Sequence, residues 1–138
     1  MVSNSPQDTF DAGRKIAGAL SAGSVVALKG TLGSGKTLLA SGIANGLGVS
    51  ENITSPTYTI INEYPSSPVL YHIDVYRLNG DRDFQEIGGD EIINSSGISV
   101  IEWSERIPKS LPDNALAVSL EITGPSSRLI KINMPDKP

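Results

Sequence analysis

Residues 30–37 constrain the fold of this chain more than any other segment. They read Gly-Thr-Leu-Gly-Ser-Gly-Lys-Thr and match the pattern G-x-x-x-x-G-K-S/T in full. Glycines at this spacing let the backbone bend and approach a polyphosphate without a Cβ in the way, so that successive N–H groups converge on phosphate oxygens. The sequence therefore predicts a nucleotide-binding loop made of Gly30, Thr31, Leu32, Gly33, Ser34, Gly35, Lys36 and Thr37.

Two side chains of this loop carry specific chemistry. We expect Lys36 to reach the β- and γ-phosphates, and the hydroxyl of Thr37 is placed to ligate Mg²⁺. The flanking residues fit such a loop. The apolar run 25–28 (Val-Val-Ala-Leu) is typical of a buried strand, and apolar residues recur every four positions from Leu39 onward, which predicts a helix. The positive end of that helix would face the phosphates.

The remaining pattern predicts one α/β domain over residues 1–138, with flexible ends at 1–8 and 134–138. Thr9 is expected to cap a first helix that ends at Gly23. The further predicted elements are a hairpin of strands at 57–64 and 69–76, short helical pieces over 83–93, a strand at 98–103, and a closing pair of strands at 115–122 and 128–133. This layout predicts a P-loop NTPase-like domain, with a mixed parallel/antiparallel central sheet flanked by helices.

Composition excludes several kinds of site. The 138 residues include no cysteine and only one histidine, so disulfides, thiolate metal sites, a cysteine nucleophile and a multi-histidine metal site are excluded. A net charge of −4 with scattered basic residues makes the chain a poor candidate for holding nucleic acid alone. No apolar run approaches the ~20 residues that span a bilayer. We expect a cytoplasmic protein that does not associate with membranes.

A P-loop NTPase needs a further carboxylate, at the end of a neighbouring buried strand, to hold the Mg²⁺ shell. Glu102 ends the apolar run Ile-Ser-Val-Ile-Glu, and Asp74 ends Val-Leu-Tyr-His-Ile-Asp. Spacing does not decide which of the two is the direct ligand. The other could orient the attacking water.

Several other residues have both a structural and a functional interpretation. Trp103 is the only tryptophan and fits either the core or the site. His72 alternates within a predicted strand, which is more typical of a structural hydrogen-bonding residue than of a base. Arg77 is either a surface arginine or a partner for Asp74 or a phosphate. Residues 55–57 (Ser-Pro-Thr) are either a plain turn or a functional segment that carries hydroxyls.

Two signatures of related proteins are missing. No N-K-x-D motif follows the loop, so the signature of guanine-selective GTPases is absent. The arginines stand singly, at positions 14, 77, 82, 106 and 128, and none belongs to a recognisable lid. This weakens the case for a small-molecule kinase, which needs a water-excluding lid. Such a kinase and a nucleotide-sensing module without chemistry are the alternatives to an ATPase.

Further motifs follow the loop in a characteristic order. They are Ser-Pro-Thr-Tyr at 55–58, Asn-Glu-Tyr at 62–64, Tyr-His-Ile-Asp-Val-Tyr-Arg-Leu at 71–78 and Ile-Glu-Trp at 101–103. In this order and spacing, over about residues 9–132, the chain resembles the TsaE (YjeE) family of bacterial ATPases required for threonylcarbamoyladenosine (t6A) synthesis on tRNA. One departure is Thr31, where members often carry aspartate. That change could adjust affinity for the nucleotide, but the backbone cradle does not depend on it.

The resemblance implies an ATPase that uses ATP and Mg²⁺. ATP would bind residues 30–37, Trp103 would contribute to the site, and Thr37 and Glu102 would form the Mg²⁺ shell. The implied catalytic residues are Lys36, Asp74 and Glu102. Ser55, Pro56 and Thr57 would resemble a first switch segment, and Asp74 with its neighbours Tyr76 and Arg77 a second one.

The resemblance also implies partners. Proteins similar to this one work with a TsaB–TsaD pair, in which TsaD transfers the threonylcarbamoyl group to adenosine 37 of ANN-decoding tRNA. The chain would then meet tRNA only through that complex. ATP hydrolysis, feeble in the isolated protein, would reset the complex between turnovers, and a partner that closes the site or supplies a charge would raise the rate.

Overall fold

The computed structural model of the protein describes residues 1–51, 53 and 60–133. Within these residues the strands are β1 (Val2–Ser3), β2 (Val25–Gly30), β3 (Ile61–Tyr64), β4 (Leu70–Asp74), β5 (Ile98–Glu102), β6 (Leu116–Ile122) and β7 (Arg128–Asn133). The helices are α1 (Pro6–Ala17), α2 (Lys36–Gly46), α3 (Asp81–Glu86) and α4 (Gly89–Ile93), with a 3-10 turn at Ser104–Arg106.

The described strands form a single sheet in the order β1-β7-β6-β2-β5-β4-β3. The four inner strands β6, β2, β5 and β4 run parallel to one another, whereas β3 on one side and β7 and β1 on the other add antiparallel pairs. The predicted mixed sheet flanked by helices is therefore confirmed. Parallel strands need cover on both faces, which explains why β2 and β5 are nearly continuous apolar runs.

Alternate residues of the central strands supply two apolar clusters on opposite faces of the sheet. Val26 and Leu28 of β2 pack with Ile16 of α1 and Leu39 of α2. Val25 of the same strand belongs to a second cluster with Phe84, Ile107 and residues of β4 and β5. Strand β2 is thus fixed from both sides, and so is the direction in which the chain leaves it at Gly30.

Helices α1 and α2 approach each other closely through glycines. A Cβ added to Gly42 would lie 2.9 Å from the carbonyl carbon of Phe10, and one added to Gly46 would lie 2.6 Å from the Cβ of Ala17. Contacts this short are tighter than real side chains allow, so the backbones meet where only hydrogen atoms fit. Because α2 begins at Lys36, within the glycine-rich loop of residues 30–37, this contact also fixes the position of that loop.

The beginning of the chain differs from the prediction. The expected cap at Thr9 is wrong: the side chain of Ser5 caps α1 by accepting the N–H of Asp8 at 3.1 Å, and Pro6 takes the first helical position. The helix ends at Ala17, before the expected Gly23. Residues 2 and 3 pair with β7, so the segment 1–8 contains a strand and the start of α1, where a flexible end was expected.

Downstream, the predicted elements agree with the structure. The hairpin, the helical pieces, the strand that ends at Glu102 and the closing strand pair are all present, within the described residues. Residues 57–59 of the expected hairpin and the expected flexible end 134–138 lie outside those residues. No helix in the described part of the chain has the length and apolar character needed to cross a bilayer.

Gly42→Ala is expected to lower the free energy of unfolding by about 1–3 kcal/mol, because the added methyl group must push α1 away. Urea denaturation followed by circular dichroism measures this change. Gly18→Ala is the matched control, since Gly18 has an ordinary helical φ of −64° and lies exposed at the end of α1. Equal stability of the two variants would contradict the close helix contact.

Candidate functional site

The parallel pairing of three strands brings the chemistry-bearing residues to one edge of the sheet. In the register of β2 with β5, Leu28 lies opposite Glu102, two residues before Gly30. In the register of β4 with β5, Asp74 lies opposite the same Glu102. The carboxyl ends of these strands therefore place the glycine-rich loop and both candidate acids side by side, at the edge where ligands of open α/β sheets bind.

The loop that follows β2 requires glycine at its first position. Gly30 has a φ of 156°, and a Cβ there would lie 2.6 Å from the hydroxyl oxygen of Ser34 and 2.7 Å from the carbonyl oxygen of Leu120. At the far end of the loop, Gly35 has a φ of 103° and precedes α2. It provides no side-chain cap, and the first turn of α2 has no acidic residue. The positive amino end of α2 is thus left for an external anion.

Lys36 folds back over this loop. Its ammonium group donates to the carbonyl oxygens of Gly30 at 2.5 Å and Thr31 at 3.1 Å, and Nζ lies 3.9 Å from the centre of the Trp103 ring. Burial lowers the pKa of Lys36, while the negative charges of Glu102, Glu105 and Asp74 oppose that shift. The cation is therefore held at the mouth of the loop, by contacts that a phosphate oxygen could replace.

Thr37 and Glu102 meet directly. The hydroxyl of Thr37 donates to both carboxylate oxygens of Glu102, at 3.0 and 3.1 Å, and the side chain of Glu102 is only 3% exposed. A hydroxyl and a carboxylate are hard oxygen ligands of the kind that Mg²⁺ takes. The residues present therefore fit a Mg²⁺–nucleotide site.

No group of three or more His, Asp or Glu side chains that could hold a metal occurs within residues 1–51, 53 and 60–133. A Mg²⁺ ion at this site would be held by Thr37 and Glu102 together with oxygen atoms of a nucleotide and of water. This arrangement is typical of sites that bind the metal together with a nucleotide.

His72 fixes the carboxylate of Glu102. Its Nε2 lies 2.5 Å from Oε2 of Glu102, and both side chains are almost fully buried. Nδ1 of His72 has no hydrogen-bond partner among the described residues. The structural interpretation of His72 as a hydrogen-bonding residue agrees with this contact, but sequence reasoning did not identify its partner. His72 lies 30 positions from Glu102, and only strand pairing brings them together.

Asp74 lies beside Glu102, but it does not share the contact that Glu102 makes with the hydroxyl of Thr37. Its Oδ1 accepts the N–H of Tyr76 at 2.9 Å. Burial raises the pKa of Asp74, and the charge of Glu102 adds to this rise, whereas the Tyr76 N–H bond, His72 and Lys36 oppose it. The sequence left open which acid serves the metal. The structure places Glu102, and not Asp74, on the hydroxyl of Thr37.

Trp103 continues from Glu102 in an unusual backbone conformation. Its φ is 61°, which is rare for a bulky residue, and the next residue, Ser104, donates its hydroxyl to the carbonyl oxygen of Leu28 at 3.0 Å. The Trp103 ring lies 4.8 Å from the ring of Tyr76, which in turn lies 4.9 Å from the guanidinium carbon of Arg106. Trp103 is therefore half-buried: it packs against the second apolar cluster on one side and contacts Lys36 and Tyr76 on the other.

Other predicted site residues lie elsewhere. Leu32 is 80% exposed at the tip of the loop. Arg77 is exposed, and no pairing with Asp74 is seen among the described residues. The switch candidates Ser55, Pro56 and Thr57 lie outside the described residues.

Sequence reasoning missed one contact with the loop. Arg128, noted only as a single arginine, donates to the carbonyl oxygens of Ser34 at 3.1 Å and Gly33 at 3.2 Å. Arg128 lies 94 positions after Ser34, and no local pattern signals the contact. Only the topology, with β7 beyond β6 in the sheet, brings Arg128 to the loop.

Comparison with known proteins identifies the family. A family profile described as "Threonylcarbamoyl adenosine biosynthesis protein TsaE" matches residues 3–130. The chain belongs to the TsaE family. The resemblance drawn from the motifs is thereby confirmed.

Individual members of the TsaE family are similar over most of their length. The Treponema pallidum protein named tRNA threonylcarbamoyladenosine biosynthesis protein TsaE is 44% identical, over 95% of this chain and 97% of that protein. The Bacillus subtilis protein of the same name is 36% identical over 91% of this chain and 78% of its own length. The crystal structure of Bacillus subtilis YdiB superposes with a TM-score of 0.81 at 32% identity, covering 99% of this chain and 84% of that one.

Asp74→Asn is expected to raise the thermal midpoint of the nucleotide-free protein by a few degrees at pH 7.5. The amide keeps an acceptor for the Tyr76 N–H but removes a half-buried charge beside Glu102. Because the folded state raises the pKa of Asp74, ionisation destabilises the wild-type protein at neutral pH. The cost fades as pH falls through that raised pKa, and it is absent below the ordinary pKa of aspartate, about pH 4.

Differential scanning fluorimetry at pH 7.5 and at progressively lower pH measures this difference. Asp113→Asn is the control, because Asp113 is exposed and the substitution changes the net charge equally. A stabilisation of Asp74→Asn that did not shrink with falling pH, or that Asp113→Asn reproduced, would contradict the assigned cause.

Proposed function

We propose that this chain is a Mg²⁺-dependent ATPase that supports N6-threonylcarbamoyladenosine formation at adenosine 37 of tRNA. It binds ATP in the loop 30–37 and hydrolyses it in complex with TsaB-type and TsaD-type partners, which resets that complex between turnovers. One observation carries the proposal: the hydroxyl of Thr37, at the amino end of α2, donates to the buried carboxylate of Glu102. The names that the relatives carry support the pathway, since they refer to threonylcarbamoyladenosine biosynthesis.

The residues of the site have separate tasks in this proposal. Backbone N–H groups of the loop and the ammonium group of Lys36 bind the β- and γ-phosphates and offset the charge that develops on them. Thr37 and Glu102 would hold Mg²⁺, which would neutralise part of the phosphate charge. His72 keeps Glu102 in position through Nε2.

Asp74 is the residue we assign to the attacking water. It lies next to Glu102 at the same sheet edge, and its carboxylate is only half-buried, so water can reach it. A raised pKa makes a carboxylate a better proton acceptor at neutral pH than an ordinary aspartate. Asp74 can therefore orient the water and hold its proton.

The arrangement also supports the proposal that ATP hydrolysis is slow without partners. No arginine in the described part of the chain makes a polar contact with Lys36 or Glu102, and the Arg106 guanidinium is separated from Lys36 by the rings of Tyr76 and Trp103. An arginine that reaches the transferred phosphate is worth about 10³–10⁵ in rate in other phosphate-hydrolysing enzymes. A partner that supplies such a charge, or that closes the open site, would raise turnover.

Glu102→Gln is expected to reduce partner-stimulated ATP hydrolysis by on the order of 100-fold, because charge stabilisation in the transition state is lost. Affinity for ADP should change much less, since the loop amides and Lys36 remain. Phosphate release and calorimetric titration measure the two quantities. Glu86→Gln, on the exposed surface of α3, is the charge-matched control. Wild-type hydrolysis by Glu102→Gln would shift the metal role to Asp74.

Lys36→Ala tests the function in the pathway. In a reconstituted t6A reaction with limiting TsaB–TsaD complex, this variant should support the first turnover but not later ones, because the complex is not reset. The measurement is t6A per complex over time, with thermal unfolding as the check on folding. Multiple turnovers at the wild-type rate with Lys36→Ala, or without this chain, would refute the proposal.

A further inference from the structure

Arg128 joins the hairpin of β6 and β7 to the phosphate loop. Its guanidinium donates to four backbone carbonyl oxygens: through Nη1 to Gly124 at 3.0 Å and to Ser127 at 2.8 Å, through Nε to Ser34 at 3.1 Å, and through Nη2 to Gly33 at 3.2 Å. Half of these bonds hold the hairpin turn and half hold the loop. The planar guanidinium, with its fixed donors, therefore sets the distance and the angle between the hairpin turn and the loop.

The backbone of Arg128 is itself well fixed. In the sheet it lies opposite Ser3 of β1 on one side and opposite Ile122 of β6 on the other. The start of β7 is thus an inner position of the sheet, and the side chain extends from a rigid element rather than from a loop. Groups supported in this way hold their partners more accurately than groups on mobile segments do.

The positive charge of Arg128 has no acidic partner within residues 1–51, 53 and 60–133. The ion pairs in that part of the chain are His72–Glu102, Arg82–Glu86 and Lys131–Glu121. All the hydrogen bonds of the Arg128 guanidinium go to carbonyl oxygens instead. A surface arginine with only a solubility role would leave its donors to water, so this set of contacts calls for another explanation.

The geometry of the peptide group explains what these contacts do for the loop. The carbonyl of residue 33 and the N–H of residue 34 lie in one peptide plane and point in opposite directions, and the same holds for the carbonyl of residue 34 and the N–H of residue 35. A donor that holds both carbonyls on the outside of the loop therefore directs the following N–H groups to its inside. There the N–H of Ser34 donates to the carbonyl oxygen of Thr31 at 3.0 Å and closes a turn of the loop. The N–H of Gly35 is the amide that this arrangement directs toward an anion.

The effect on affinity follows from the populations of the loop. Gly33 has a φ of 81°, and Gly33 and Gly35 can adopt many backbone conformations without the bonds that hold them. If only a fraction of the molecules has the amides directed inward, the apparent affinity falls by that fraction. The hydrogen bonds from Arg128 to the two carbonyl oxygens raise this fraction before any ligand binds.

We propose that Arg128 is a positioning residue for polyphosphate binding, which acts by holding the carbonyl groups of Gly33 and Ser34 outward. The inference rests on the proposed nucleotide site and adds to it a residue that never touches the nucleotide. The bonds, rather than the charge alone, are what matter. Arg128→Lys, which keeps the charge but cannot reproduce the bidentate contact with the loop, should therefore weaken binding nearly as much as Arg128→Gln does.

The test compares Mg²⁺-ADP and Mg²⁺-ATP binding by calorimetry in the wild-type chain, Arg128→Lys, Arg128→Gln and Lys131→Gln. Lys131 lies on the same strand, is exposed and pairs with Glu121, so its variant removes an equal charge without touching the loop. We expect the dissociation constants of both Arg128 variants to rise about tenfold, as for a loop that is competent in one molecule out of ten. Lys131→Gln should bind as the wild type does.

A second measurement separates positioning from general stability. Hydrogen exchange of the nucleotide-free chain should accelerate at residues 33–36 in both Arg128 variants, while exchange in the central strands β2 and β5 stays at the wild-type rate. This readout remains available for Arg128→Lys, the milder change, even if Arg128→Gln folds poorly. Acceleration spread evenly over the sheet would overturn the proposal and leave Arg128 a role in stability only.

The outcomes also distinguish this inference from the proposed function. If the wild-type chain bound neither nucleotide, the nucleotide site and the inference would both fail. If the wild type bound but Arg128→Lys bound equally well, the proposed role of the Arg128 hydrogen bonds would be wrong and the nucleotide site would stand. Equal weakening by Lys131→Gln would assign the effect to the net charge of β7 and overturn the proposal.

Discussion

The parallel pairing of β2 with β5 is the constraint on which the site depends. It brings Glu102, at the end of one strand, level with Leu28, two residues before the loop that leaves the other. The buried carboxylate can then meet the hydroxyl of Thr37 although 65 positions separate them. The same register continues to β4 and sets Asp74 beside Glu102. A shift by one residue would turn these side chains to the other face of the sheet.

Around this contact the chain contains several energetically unfavourable features. Burial raises the pKa of Asp74 and the adjacent carboxylate of Glu102 adds to that rise, while burial lowers the pKa of Lys36. Trp103 has a positive φ, which places its ring under the ammonium group of Lys36. Such costs are common at functional sites, and here the packed helices α1 and α2 and the double-faced sheet hold the loop despite them.

The sequence predicts this fold well where local chemistry decides the structure. The loop 30–37, the strand that ends at Glu102 and the broken helices around Gly88 and Gly89 follow from residue type and spacing. Sheet-edge pairing depends on backbone hydrogen bonds between distant segments, so β1 was not predicted. For the same reason, Glu102 and His72 were both singled out from the sequence, but the contact between them was not predicted. No sequence pattern indicated that Arg128 reaches the loop. The cap at Ser5 is a local contact with Asp8, and the sequence offers a hydroxyl residue at both Ser5 and Thr9, of which the prediction named the wrong one.

The most direct test of this account is a crystal structure of the chain with Mg²⁺ and a non-hydrolysable ATP analogue. We expect the β- and γ-phosphates at the amides of residues 33–37, and Lys36 moved from the carbonyl oxygens of Gly30 and Thr31 onto a phosphate. Mg²⁺ should lie between the phosphates and the pair formed by Thr37 and Glu102. An analogue bound elsewhere, with Lys36 still on those carbonyls and Thr37 still on Glu102, would contradict the central claim.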